Sequence, residues 1–557
     1  MGKDRDRDSD FDSKTVDDIQ GMVTKWASIP FAIVVVLCAG SAVNLSPYFL
    51  ELKDQLGFEP IHQSFVKWGV IFGYFGGIIA GPFVDAFNTT PSFILAAFIS
   101  GGGFVGLAFY TAAENVNTFN VIVIIVLLFV VSLSCAIATI AAIATVIKNF
   151  SRNVGAMITA IMITYFLCSP WFEFTIRHGY FEDIELKVNL IAMGVILFVI
   201  FIIAAFIVDE NEQSPKLKRA SALTDTMGIL IYASICGGFI AAIYFTCIIA
   251  EEFKLGVFAH ALFILINFVA LAFTISALLG KISKSDTRNA GEEVVPPKKH
   301  FGQMLGDIRY YCLLIGTFFV VGAGTAFHIQ AADLAIAMGK DEDLGAKVLK
   351  AYWLSMVLAS LGGGLVAAIF NRFLNAWLFA AIAAFTGMVG YGFVFLGESS
   401  DIWFYISGFL IGTSVGGWWV IVPQIILDDA GPRSFESLWG VTITFNALGL
   451  LAADGLFVLV NGKEEAGSPS TCQGTSCFMI PYIVFAGVTM IAGILAIVGF
   501  SNDEGTGGSG GERRPLKDND ANKKSGKKSS RRSGSKKGSK SRSGSKKSGR
   551  SKSKDKR

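Results

Sequence analysis

The stretch Asn120–Ile147, NVIVIIVLLFVVSLSCAIATIAAIATVI, holds no acidic or basic residue, and Lys148 follows it directly. A helix needs about 20 apolar residues to cross roughly 30 Å of hydrocarbon. The stretch therefore predicts a membrane-spanning helix. The chain around it has the same character: of 557 residues, 52% are hydrophobic and 16% charged, with 60 Gly and 48 Phe. A soluble domain carries roughly 25% charged residues, so this composition excludes one. Glycine is frequent in membrane helices because it lets backbones approach closely. The expected fold class is all-α, a polytopic membrane protein.

Working outward from Asn120–Ile147, the N-terminal third holds further apolar runs at Ala27–Leu50, Ser64–Val84, Ser92–Ala112, Asn153–Phe172 and Val188–Val208. Two more follow at Met227–Ala250 and Val257–Leu279. The last group is Tyr310–Ala332, Val348–Ile369, Ala376–Gly397, Ile402–Leu427, Phe435–Val460 and Phe478–Phe500. The expected architecture is two six-helix bundles plus two intervening helices, about fourteen transmembrane helices in all. The domains then run as a tail over 1–25, a bundle over 26–208, two extra helices and a polar linker over 209–309, a second bundle over 310–500 and a basic tail over 501–557.

Lys and Arg in short loops set orientation. With the N-terminus in the cytoplasm, the inner loops hold Lys148 and Arg152, Lys216, Lys218 and Arg219, then Arg309, Arg372 and Arg433. The even helix count places both termini inside. From Ser501 onward the chain carries 20 basic and 6 acidic residues, against 27 and 38 in the rest. The basic character thus belongs to a Ser/Gly/Lys/Arg tail that cannot bury a core and is expected to be disordered. That tail is expected to meet anionic lipids, each base near the surface contributing about 1 kcal/mol; no nucleic-acid partner is implied. Cys472 and Cys477 flank a Gln-Gly-Thr-Ser turn in an outer loop, where a small disulfide can form in an oxidising compartment. Two thiols alone do not complete a zinc site.

Gly81-Pro82-Phe83-Val84-Asp85 ends the second helix on the inner side. The spacing places a small residue and a carboxylate on one face, suited to tight packing and to pairing at a neighbouring helix end. The second half echoes it: Asn371-Arg372 ends the second helix of the last six. Likewise Lys148 through Gly155, with Arg152, follows helix four, and Pro432-Arg433-Ser434-Phe435-Glu436 through Gly440 follows the fourth helix of the last six. Related features at matching places in two halves are what a duplicated transporter shows.

These motifs, with Lys67 early in helix two, Glu436-Ser437-Leu438-Trp439-Gly440 opening helix thirteen and Cys472 to Phe478 before the last helix, resemble the major facilitator superfamily. More narrowly, the chain looks like its nodulin-like branch, related to monocarboxylate transporters. Ala86-Phe87-Asn88-Thr89 stands where members usually carry basic residues after the acid. The resemblance implies that the first and fourth helices of each half line a cavity, here helices one, four, nine and twelve. Each has a polar stripe. Helix one carries Ser41, Asn44 and Tyr48, helix four Ser132, Cys135 and Thr139, helix nine Thr325 and His328, and helix twelve Ser407, Ser414 and Trp418. Ser and Thr in membrane helices also bond the preceding turn and merely pack.

Ionisable groups at membrane depth cost about 2.5–3.5 kcal/mol or more at the centre and call for a partner. Lys67 either snorkels outward or attracts a substrate carboxylate. Asp454, deep in helix thirteen between Ala453 and Gly455, is either an acid coupling a proton or cation, or one half of an interhelical pair. The expected substrate contacts are thus Asn44, Lys67, Thr139, His328, Ser414 and Trp418; the coupling group is Asp454; the gating residues are Gly81, Asp85, Arg152, Arg372, Arg433 and Glu436.

Gly101-x-Gly103-x-x-Gly106 lacks the strand and acid of a dinucleotide fingerprint. Gly412-Thr413-Ser414-Val415-Gly416 matches a nucleophile elbow in letters but sits in a continuous apolar helix. No cofactor, metal pair or P-loop is visible, so energy for transport is expected from a gradient and no enzyme activity is expected. The reading is a secondary transporter of a small solute, a small organic anion such as a monocarboxylate by resemblance, with a proton or cation as co-substrate. It is expected in a plasma, endolysosomal or vacuolar membrane. Its rivals are a non-transporting sensor or scaffold acting through the tail and, more remotely, an intramembrane hydrolase using Ser414.

Overall fold

The computed structural model describes residues 28, 31–40, 60–111, 118–149, 161–162, 165, 186–208, 300–369, 375–431, 434–461 and 476–507. They are helical almost throughout. In chain order the helices are α1 (Phe31–Gly40), α2 (Pro60–Phe75), α3 (Gly77–Phe87), α4 (Thr89–Thr111), α5 (Thr118–Asn149) and α6 (Leu186–Ile207). The C-terminal half holds α7 (Phe301–Met304), α8 (Ile308–Ala337), α9 (Glu342–Ile369), α10 (Ala376–Val394), α11 (Asp401–Ala430), α12 (Phe435–Asn461) and α13 (Ser476–Gly507). Among the described residues, 9 spans are long and apolar enough to cross a membrane. The expected seventh and eighth helices, the linker after them up to residue 299 and the basic tail beyond 507 lie outside the described residues, whereas the end of that linker holds α7.

The apolar runs set these helices and small local signals end them. The Asn375 side chain accepts from Trp377 N–H at 3.1 Å to start α10, and Asp307 accepts from Arg309 N–H at 3.0 Å to start α8. Gly339 and Gly431, at φ +70° and +78°, close α8 and α11 in the left-handed region open to glycine. Asn88 at φ +65° makes the sharp turn from α3 to α4. The second expected helix is continuous in hydropathy but breaks at Gly76, whose N–H bonds back to Gly73 at 3.0 Å.

Two bundles result. In the first, α5 packs against α2, α3 and α4, and α4 against α6; in the second, α11 packs against α9 and α10, and α8 against α9, α11 and α12. The joint between them is α12, which lies along both α2 and α3 and touches α5. Lipid-facing sides carry exposed apolar residues, such as Phe98, Phe109, Phe206 and Leu459. In hydrocarbon such exposure is the favourable arrangement, since lipid tails are as apolar as these side chains.

Candidate functional site

At one end of the joint, backbones meet. A Cβ at Gly81 would strike the carbonyl of Glu436, and one at Gly440 would strike the backbone of Gly77. The break at Gly76 leaves early N–H groups of α3 without intrahelical partners. One of them, on Ile78, donates across the joint to Thr444 Oγ1 at 3.0 Å. Side chains complete this end. Asp85 Oδ2 accepts from Ser437 Oγ at 3.0 Å, beside the first turn of α12, where the helix dipole favours an anion. Lys148 Nζ lies 2.6 Å from Glu436 Oε1, and the glutamate side chain is fully buried. Within the second bundle, Arg309 Nη2 pairs with Asp429 at 3.1 Å, and Tyr310 donates to the Leu438 carbonyl at 2.8 Å.

At the opposite end the joint is built from long side chains. Asp454 of α12 accepts from Trp68 Nε1 of α2 at 3.1 Å and from Gln330 Nε2 of α8 at 3.3 Å. A carboxylate at membrane depth thus holds two neutral donors, one from each bundle.

Between the two ends lies a cavity of about 30 Å³, room for water as it stands. Ser132, Cys135 and Thr139 of α5 form one wall, and Trp419 of α11 and Trp439 of α12 the other; Tyr165 and the end of α1 at Gly40 complete it. The two indoles sit 5.0 Å apart at 49°, and Phe435 stacks on Trp439 at 12°. Ser132 Oγ donates to the Val70 carbonyl at 3.0 Å. The indole N–H of Trp439 is buried and has no hydrogen-bond partner among the described residues.

Of the residues expected from sequence to touch substrate, Thr139 stands at this cavity. Trp418, one residue before Trp419, points elsewhere: it packs on Gly316 and donates to Thr317 Oγ1 at 3.0 Å. Ser414 is buried against Gly387 of α10. His328 stacks on Tyr352 and meets the edge of Trp353 at 4.6 Å, between α8 and α9. The gating set divides similarly. Gly81, Asp85 and Glu436 come together at one end of the joint, whereas Arg152, Arg372 and Arg433 lie outside the described residues, as do Asn44 and Cys472. Lys67 and Cys477 fall on α2 and α13, with side chains outside the described set. Trp68, Lys148, Trp419 and Trp439 were not singled out as site residues by sequence.

The glycine strings Gly101–Gly106 and Gly412–Gly416 lie inside α4 and α11, without the strand that either motif needs. No protein-family model matches the chain, and no curated protein matches it by sequence. Among solved structures, it is similar to the proton:xylose symporter XylE of the major facilitator superfamily, bound to 6-bromo-6-deoxy-D-glucose. The TM-score is 0.55 and the identity 12%, over 86% of this chain and 95% of that one. The chain shares the overall fold of that structure. At this identity the likeness is one of architecture.

Proposed function

We propose that the chain is a secondary active transporter that moves a small solute by alternating access. The observation that carries this reading is the cavity, whose walls come from different bundles and which lies between two joints of opposite construction. Rocking of the halves about a central site requires that arrangement. Breaking Lys148–Glu436 and Asp85–Ser437 opens one end; breaking Trp68–Asp454 opens the other.

Asp454 is the coupling group in this reading. Protonating it removes the negative charge that two donors address, and so loosens the end of the joint that it holds. A gradient of protons then biases which end opens. XylE is a proton:xylose symporter, which makes a proton the first co-substrate to test here. The resemblance to the nodulin-like branch makes a small organic anion such as a monocarboxylate one solute class to test, with neutral solutes beside it. The basic tail, placed on the cytoplasmic side by the loop charges, would rest on anionic lipid of a plasma, endolysosomal or vacuolar membrane.

The test is uptake into liposomes holding the purified full chain, with an imposed proton gradient and a panel of labelled monocarboxylates, sugars and amino acids. Gradient-dependent accumulation of one solute, lost in Asp454→Asn, is the expected result. A protein that folds and inserts yet moves nothing in the panel is a sensor or scaffold instead.

A further inference from the structure

Within the transporter reading, on which this inference rests, we infer that the solute is uncharged and hydroxylated and that Trp439 Nε1 is one of its hydrogen-bond donors. A buried donor without a partner is rare in folded proteins and is destabilising unless something accepts from it. Trp439 is 1% exposed, lines the cavity and leaves its N–H unmatched among the described residues. An acceptor oxygen on a bound solute satisfies it. The adjoining indole of Trp419 adds a flat aromatic face, on which the C–H side of a hydroxylated ring packs.

The facing wall has matching chemistry. Ser132, Cys135 and Thr139 are small and neutral, and no Lys, Arg, His, Asp or Glu lines the cavity among the described residues. A carboxylate placed there would lie in a low-dielectric space without a cation from the described residues, which is unfavourable. A neutral solute meets no such penalty. The wall with the indoles belongs to the second bundle and the hydroxyl wall to the first, so parting the bundles widens the space while each wall keeps its own contacts.

The experiment measures binding and uptake separately. Tritiated D-glucose, D-xylose and myo-inositol are the neutral probes, and labelled lactate is the anionic one. All are tested on the full chain in detergent and again in liposomes. Saturable binding of a neutral probe, not displaced by lactate, is the expected result. Trp439→Phe keeps an aromatic ring but loses the N–H with the rest of the indole, so it should weaken that binding about threefold to tenfold, with the melting temperature read beside it to separate lost packing from lost binding. Thr139→Val on the facing wall serves if Trp439→Phe does not fold, with a loss of similar size expected. Lactate binding without any neutral binding, or unchanged affinity in the variants, overturns the inference. Lactate uptake without sugar uptake sinks this site while leaving transport in place. Neutral binding with no uptake of any probe does the reverse.

Discussion

The two ends of the joint on α12 are closed by different means. At the Glu436 end, glycines let α3 and α12 touch backbone to backbone, and a fully buried carboxylate pairs with Lys148. At the Asp454 end, contact between the halves runs through the indole N–H of Trp68. Backbone contact at small residues is a matter of shape and has little room to yield, since packed interfaces are bistable rather than elastic. A long side chain can swing away and exchange its bond for one to water. The comparison teaches that the first end is the firm one and the second the compliant one, so the Asp454 end should open first when the structure relaxes.

The largest effect should come from the buried pair. Lys148→Met leaves the buried Glu436 carboxyl without its cation, with an expected loss of about 3 kcal/mol, near the lower end for buried pairs because Lys148 is 26% exposed. Thermal unfolding reads it, and Lys148→Met with Glu436→Gln should recover most of the loss. No recovery would mean that the two residues do not act as a pair. Next comes the glycine contact: Gly440→Val should cost about 1–3 kcal/mol by overpacking and hold the firm end ajar. Labelling of a cysteine placed at Ser437 reports it, faster in the variant than in its absence. Equal labelling would show that the contact does not seal that end.

At the compliant end the effects should be smaller. Asp454→Asn should lower stability by about 1 kcal/mol and leave uptake insensitive to a proton gradient. Uptake in the variant that still follows the gradient would move coupling to another residue. Trp68→Phe deletes the N–H together with part of the indole and should cost about 0.5–1.5 kcal/mol for the hydrogen bond alone while raising accessibility at the Asp454 end. If Trp68→Phe is more disruptive than Lys148→Met, the ranking of the two ends is reversed.

The helices were legible because each run of apolar residues satisfies its own backbone, a property local to the sequence. The stripe Ser132, Cys135 and Thr139 was legible for a related reason, since a spacing of three and four keeps side chains on one helix face. What periodicity could not give was the azimuth of α11. Consecutive helical residues differ by about 100°, so a one-residue error separates Trp418, packed on Gly316, from Trp419 at the cavity. The ion pair was half visible: Glu436 stood out as a gating residue at the start of a helix, whereas Lys148 read as one more inner-loop base. Asp454 had no neighbouring base to pair with, and its partner Trp68 lies 386 residues earlier, beyond the reach of any local pattern. The break at Gly76 escaped because hydropathy runs through it unaltered.

The hydrogen bond from Ile78 to Thr444 has a consequence for biogenesis. A polypeptide entering the bilayer from its N-terminus exposes the first turn of α3 long before its acceptor exists, for Thr444 is made 366 residues later. Lipid offers nothing in its stead. The early half of the molecule must therefore wait, incompletely satisfied, for the late half to arrive, and truncation before α12 should leave a fragment that the insertion machinery cannot release as finished.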